Sequence, residues 1–474
     1  MIKKLLLLFT AAGMILCVLP FAGLAVSGFT EPVGNEQKTE KPSALNGDNS
    51  FNPLYFQQMG SYFEKSFAFR PQLITADASV QSTLFQTSSL DSVVTGTDGW
   101  LYYSSSLDNF LGRNLMSQRA VNNAARNLRL TQDYVKANGA EFIFTVAPNK
   151  NSLYPGHMPF YCGAKASSQK NSDRLKSALE AEGVNYCDLF ELFKNESETL
   201  YLKQDSHWNN KGALLAYNKI LDRAKISHNT FGDVSPKREK THTGDLAKML
   251  YPSGENTEYN FNYGIENSYK YTTPTKSVED AVIKTENKSG SGSLYMFRDS
   301  FGNALLPFFA GNFGKAEFTK ALPVNVSLEM TVQKPDTVIF EIVERNINRF
   351  AENPPVIPAK EAPQISGEIT DSRVKINAQV SEVNMMYVGL SGEIPREYLG
   401  DSGEIYVRTD DKGGNKKTYE AFGVSTDETD CGFLAYIPLE VLNDNPEVSV
   451  LCVNGGTTTE FQSQRVTVKN AETE

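Results

Sequence analysis

Only four histidines occur in 474 residues, and one of them sits in Asp205-Ser206-His207-Trp208. In an extended or loop conformation, side chains two residues apart point the same way. The Asp205 carboxylate could then accept the Nδ1–H of His207, fixing its tautomer and raising the basicity of Nε2. A base of this kind needs an alcohol, and Ser300 is the candidate. It lies in the stretch Ser293 to Gly314, SLYMFRDSFGNALLPFFAGNFG. There the apolar run Leu294 to Phe297 stops at Arg298-Asp299-Ser300, turns at Gly302-Asn303 and resumes from Ala304 to Phe309. The first run has the length of a buried strand, and the second, with Pro307, suits the opening turns of a helix. A strand–turn–helix of this type lifts a hydroxyl to a sheet edge, near the positive end of a helix and free backbone N–H groups. Asp205, His207 and Ser300 would then be orienter, base and nucleophile. The plainer alternative makes Asp299 or Ser300 a helix N-cap, and Asp205–His207 a polar turn before a helix capped by Asn209 or Asn210.

The other histidines compete poorly. His157 follows Pro155-Gly156 in a loop and His228 lies in a polar stretch, which leaves His242, in THTGDLAKML, as the one rival. Asp245 in that segment reads as the cap of the following helix rather than as a catalytic carboxylate. For a tetrahedral oxyanion, Ser300 N–H is the first donor candidate and the Asn149-Lys150 loop the second, because Pro148-Asn149-Lys150 follows a strand's carboxyl end. Trp208 could stack on a sugar ring or pack as a staple at a helix start.

Strands and helices must alternate to bring these groups together, and they do. Helical patterns at Val121–Ala137, Asn171–Glu182, Asn210–Ala224 and Ala304–Phe313 alternate with strand-like runs at Phe142–Ala147, Val184–Leu189, Ser293–Phe297 and Thr337–Ile342. This predicts an α/β fold, a three-layer and mostly parallel sheet with its ligand site at the carboxyl ends of the strands. Upstream, FQQMGSYFEKSFAFRPQLI spaces aromatics for a surface helix packing Tyr62, Phe63 and Phe67. Gly96, Asp98 and Gly99 mark a turn into the strand Trp100–Tyr103. Residues 351–366 carry four prolines and have a linker's composition. Beyond them, short strand-like runs separated by Gly, Asn and Asp predict a smaller all-β sandwich over residues 367–474.

At the N-terminus, Lys3 and Lys4 precede an uncharged stretch from Leu5 to Val26. It suits either a signal peptide ending near Ala25-Val26-Ser27 or a membrane anchor, and both place the remainder outside the cytoplasm. Residues 28–50 are polar and read as a tether. The net charge of −10 is spread along the chain, without the basic stripe that nucleic acid requires. Cys17 falls in the targeting stretch without a small residue before it. Among Cys162, Cys187, Cys431 and Cys452 the sequence-local pairing, Cys162–Cys187 with Cys431–Cys452, is the simplest of three, with buried free thiols as the alternative. No spacing suggests zinc, and neither metal nor cofactor is expected.

Five blocks occur in order: GTDGWLYY, VAPNKNSLYPGHMP, QDSHWNNKGALLAY, MFRDSFGNALLPF and PDTVIFEIVERNI. Together they resemble the DHHW-type proteins of Gram-positive bacteria and are similar to the SGNH-hydrolase-like domains of alginate O-acetyltransferases, over residues 51–350. The resemblance implies a permuted SGNH-hydrolase-like sheet with Asp205, His207 and Ser300 as a catalytic triad. Many relatives carry Gly where this chain has Arg298, which could help hold a carboxyl or acyl oxygen. The implied function is exported O-acetyl transfer to hydroxyls of a cell-surface or secreted polysaccharide, through an acetyl-serine. The acetyl group would come from a separate membrane O-acyltransferase. Two alternatives stay open: a carbohydrate acetylesterase of the same fold, and a non-catalytic glycan-binding or assembly protein.

Overall fold

The computed structural model describes residues 2–30, 40–362, 365, 369–384 and 386–468. Parts of the tether (31–39) and of the Pro-rich stretch (363, 364 and 366), with 367, 368, 385 and 469–474 of the C-terminal region, lie outside the described residues. A seven-stranded sheet runs in the order Tyr186–Cys187, Glu141–Ala147, Thr337–Val343, Ser293–Phe297, Lys315–Thr319, Val282–Glu286, Lys270–Tyr271. The first five strands are mutually parallel; Val282–Glu286 runs antiparallel to them, and Lys270–Tyr271 pairs antiparallel with Val282–Glu286.

Period-two alternation distributes the apolar side chains between the two faces. Phe142, Phe144, Tyr295, Phe297, Val338 and Phe340 face the layer containing helices Gln118–Ala137 and Asn171–Ala181. Ile143, Leu294, Met296, Ile339 and Val343 face helices Asn210–Ala224 and Gly302–Asn312. Ser117 caps the first of these helices by accepting from Ala120 N at 3.0 Å, and Asn209 caps the third by accepting from Gly212 N at 3.0 Å.

The C-terminal region is β-rich, as expected. One sheet orders Ile369–Lys375, Thr457–Gln462, Glu447–Asn454, Glu404–Asp410 and Lys416–Glu420, with Gln464–Arg465 beside Glu447–Asn454. The other orders Gln379–Asn384, Tyr387–Glu393, Gly432–Pro438 and Phe422–Val424. Helix Gln118–Ala137 is the joint between the two parts. Asn127 donates to Phe350 O and Gly423 O, Arg126 pairs with Glu404 and Glu420, and Arg119 donates to Gly403 O. The Pro-rich stretch takes part in this joint instead of hanging free. Val356 and Ile357 are buried in the core, and Ala359 N donates to Tyr436 O.

Several expectations change in detail. The single N-proximal helix is two, Tyr55–Ser66 and Arg70–Phe85, broken at Phe69, whose φ is 63°. The Val184–Leu189 strand shrinks to Tyr186–Cys187 at the sheet edge. The expected disulfides are absent: Cys162, Cys187, Cys431 and Cys452 are free and buried. Cys162 sits in the cluster around Trp100 and Phe110, while Cys187 lies on the sheet's edge strand with its side chain in the cluster that holds Ile143 and Leu189. Cys452 Sγ donates to Tyr398 O and Cys431 Sγ to Asp430.

Candidate functional site

Three adjacent parallel strands end at one rim of the sheet. Glu141–Ala147 leads into Asn149-Lys150, Thr337–Val343 into Glu344-Arg345, and Ser293–Phe297 into Arg298-Asp299-Ser300. At this rim, carboxyl-terminal loops of parallel strands can converge on a ligand. The turn bearing Ser300 is tied down by Asp299. Its Oδ1 accepts from Phe301 N at 2.8 Å and its Oδ2 from Val343 N at 2.8 Å, while its own N–H donates to Glu341 Oε2 at 3.2 Å. Helix Gly302–Asn312 follows at once, with no side-chain cap. Ser300 Oγ is therefore not capping the helix.

Opposite it, residues 200–209 form a tight antiparallel turn. Tyr201 bridges Trp208, Leu202 N donates to His207 O and Asn209 N to Leu200 O. The turn presents Asp205 and His207 on the same side. His207 Nδ1 lies 2.7 Å from Asp205 Oδ1, and His207 Nε2 lies 2.8 Å from Ser300 Oγ. The structure thus brings Asp205, His207 and Ser300 into one hydrogen-bonded row. Burial pushes the Asp205 carboxyl up, but hydrogen bonds from His207 and His242 override it and hold the group well below the usual carboxylate range. Burial disfavours the His207 imidazolium, yet the hydrogen bond and charge of Asp205 outweigh that and raise its pKa.

The remaining sequence candidates fall elsewhere. Trp208 is buried, stacked on Phe193 at 5.8 Å, with Nε1 donating to Phe301 O at 3.1 Å. It is a structural clamp and offers no face to a sugar. Arg298 is fully buried and donates to Asn303 Oδ1 and, at 2.9 Å, to Val278 O. Its cation is turned to the flanking loop and not to an acyl oxygen. Asn149 is buried too: its N–H donates to Glu344 Oε2 at 2.9 Å, and one of the two Nδ2 hydrogens goes to Asn109 Oδ1 at 3.2 Å. Lys150 Nζ donates to the carbonyls of Leu101, Lys203 and Asp205 at 2.7, 2.6 and 2.8 Å. Burial lowers its pKa, but three acceptors match the three hydrogens of an ammonium. Lys150 holds the backbone under Asp205.

Two groups were missed or undervalued. Arg345, half-buried, places its guanidinium 5.3 Å from the Tyr103 ring and 5.8 Å from the Phe301 ring. Its one hydrogen bond to a described residue is a long one, 3.5 Å to Asn149 Oδ1. The signal was its position just past a strand's carboxyl end, the same signal that favoured Asn149. His242, the rival histidine, and Asp245, read from sequence as a helix cap, wrap the Asp205 turn: His242 Nε2 is 2.8 Å from Asp205 Oδ2, and Asp245 accepts from Ser206 N and Oγ. Donor atoms of Asp205, His207 and Asp245 lie within 4.8 Å of one another, a set that could hold a cation. Asp205 and His207 are, however, already engaged with each other, and Asp245 with Ser206.

Residues 93–289 match the family described as SGNH hydrolase-like domain, acetyltransferase AlgX. The α/β domain is SGNH hydrolase-like. The matched segment of this SGNH-like domain takes in Asp205, His207, His242 and Asp245 and ends before Ser300. Among solved structures, Bacillus cereus PatB1 with a sulfonyl adduct is 18% identical, with a TM-score of 0.42 over 54% of this chain and 95% of that one. A DHHW family protein from Eubacterium siraeum is 18% identical, with a TM-score of 0.40 over 54% and 96%. Pseudomonas aeruginosa AlgX is 14% identical, with a TM-score of 0.36 over 76% and 94%. No curated protein matches.

Proposed function

We propose that this chain is an O-acetyltransferase acting on hydroxyls of a polysaccharide outside the cytoplasm, with Ser300 as nucleophile, His207 as base and Asp205 as orienter. The observation that carries the reading is the 2.8 Å approach of His207 Nε2 to Ser300 Oγ, with Nδ1 held by Asp205. His207 takes the Ser300 proton as Oγ attacks the acetyl carbonyl of an ester donor. Collapse expels the donor's alkoxide, which receives that proton, and leaves acetyl-Ser300. A sugar hydroxyl then loses its proton to the same imidazole and attacks, yielding the sugar acetate; the proton returns to Ser300. Ser300 N–H makes no hydrogen bond to a described residue and is the first oxyanion donor. The open guanidinium of Arg345 is the second.

The apolar helix Ile2–Ser27 supports an extracytoplasmic location, as signal or anchor. A membrane O-acyltransferase is the proposed acetyl source. Residues 51–350 form the proposed catalytic part and 367–474 the part that positions glycan. A cleft of about 690 Å³ between them, lined by Arg345, Asn348, Glu352, Arg396 and Thr426, supports that division.

The test is acetate release from p-nitrophenyl acetate. Ser300→Ala and His207→Ala should each lower kcat by about 10⁴-fold or more. Retained turnover in Ser300→Ala would remove the nucleophile and the reading with it. Adding an oligosaccharide acceptor should divert acetyl to sugar at the expense of free acetate; undiminished acetate would make the protein an esterase.

A further inference from the structure

We infer that His242 is a positioning residue for the proposed reaction, holding the Asp205 carboxylate so that its other oxygen faces His207. This rests on the reading of Asp205 as the orienter of the base.

Asp205 is buried, and its two oxygens accept from four donors. Oδ1 takes His207 Nδ1 at 2.7 Å and His207 N at 3.0 Å; Oδ2 takes His242 Nε2 at 2.8 Å and Asp245 N at 3.1 Å. A carboxylate can swing about its Cβ–Cγ bond, and one oxygen bound to a mobile imidazole would not stop it. Two donors on each oxygen fix the plane. On the Oδ2 side both donors come from a single short segment, His242-Thr243-Gly244-Asp245, so that segment decides the carboxylate's orientation.

The backbone is shaped to place it there. Strand Lys237–Thr243 pairs antiparallel with Thr257–Asn262, and the register shifts between Glu239 and His242. Such an irregularity re-aims a side chain. Gly244 then passes so close to the other turn that a Cβ would lie 2.1 Å from Gln204 O, so no side chain fits. Asp245 closes the clasp from the far side by accepting from Ser206 N and Ser206 Oγ at 2.7 and 2.6 Å. The charged groups around His242 are Asp205, Asp245 two bonds along the clasp, and Glu258, its cross-strand partner, whose carboxylate accepts from Lys203 N and Gln204 N. The ammonium of Lys150 lies beyond, on the Asp205 carbonyl. His242 donates through Nε2–H and does not reach Ser300 itself.

The experiment uses the full chain in detergent, with p-nitrophenyl acetate and variants His242→Ala, His242→Gln, Asp205→Asn and Asp205→Asn/His242→Ala. His242→Ala should lower kcat on the order of 10- to 100-fold, as loss of partners behind a reacting group does, with KM within about twofold. Gln, whose Nε2 can occupy the place of the imidazole N–H, should recover most of that loss. In the Asp205→Asn background, His242→Ala should cost nothing further, because His242 acts only through the carboxylate. Wild-type kcat in folded His242→Ala overturns the inference, as does additivity in the double variant. If His242→Ala does not fold, a folded His242→Gln that is slowed by 10-fold or more overturns it equally. Failure of the underlying reading looks different: there Asp205→Asn and Ser300→Ala would themselves stay active.

Discussion

Trp208 Nε1 donates to the carbonyl oxygen of Phe301 at 3.1 Å, tying the residue after His207 to the residue after Ser300 across 93 positions of sequence. The 2.8 Å contact between His207 and Ser300 is thus set by a bond one residue beyond each. Trp208→Phe should keep the stacking on Phe193 and lose the hydrogen bond. A buried carbonyl left unpaired costs about 1–3 kcal/mol, and kcat should fall more than KM rises as the two loops loosen. Urea denaturation and steady-state kinetics of the variant check both parts.

The pH dependence has a definite sign. In the proposed reaction the free imidazole of His207 is the base, and its pKa is raised because the hydrogen bond and charge of Asp205 outweigh burial. Activity should therefore fall as pH drops through a value above the ordinary imidazole pKa of about 6.5. Asp205→Asn should move that limb to lower pH while lowering kcat by about 10⁴-fold. The same shift links to stability: the His207 contribution is complete below the unfolded pKa and is lost as pH rises through the raised folded one. Comparing thermal unfolding of wild type and Asp205→Asn across that window shows whether the contribution disappears with the carboxylate.

Gly302 opens the helix after Ser300, where an added Cβ would lie 2.5 Å from Arg298 Cβ and 3.0 Å from Glu341 Oε2. Gly302→Ala should destabilise the chain by about 1–3 kcal/mol and lower kcat by displacing Ser300. Gly60, inside helix Tyr55–Ser66 with nothing within 4 Å, is the control. Gly60→Ala should leave kcat unchanged and stabilise by roughly 0.5–1 kcal/mol. An unaltered kcat in Gly302→Ala would show that the turn tolerates a side chain.

Lys150 illustrates a buried cation that does no chemistry of its own. Lys150→Met removes the donor to three carbonyls, of which those of Leu101 and Asp205 lie in fully buried contacts. The expected loss is at least about 3 kcal/mol in denaturant unfolding, at about 1–3 kcal/mol per unpaired group. Lys150→Arg should recover little, since a planar fork cannot meet three acceptors arranged around one nitrogen.

Much of this architecture was legible in the residues alone. Strands with continuous apolar runs, such as Phe142–Ala147 and Ser293–Phe297, announce themselves because both faces of a central parallel strand are buried. Lys315–Thr319 and Val282–Glu286 escaped reading because charges interrupt them: Glu317 is buried there against Lys284 at 2.8 Å, a pairing visible only across the sheet. The strand that carries His242, KREKTHT, is polar throughout and leaves no apolar period to find.

The sequence by itself determined the types and local spacing at the rim: a D-x-H turn, a serine after a buried strand, and a helix directly behind each. Local spacing fixes which way neighbouring side chains point, so Asp205 and His207 could be named together as a pair. Only the tertiary structure decided which polar groups face the rim and which lie beneath it. Trp208, Arg298 and Lys150 are all buried because the loops they join must satisfy their own carbonyls before anything can bind above them. Arg345 stands just past a strand's carboxyl end, but His242 reaches the site through contacts with distant segments, and long-range packing of that kind leaves no mark on the order of residues.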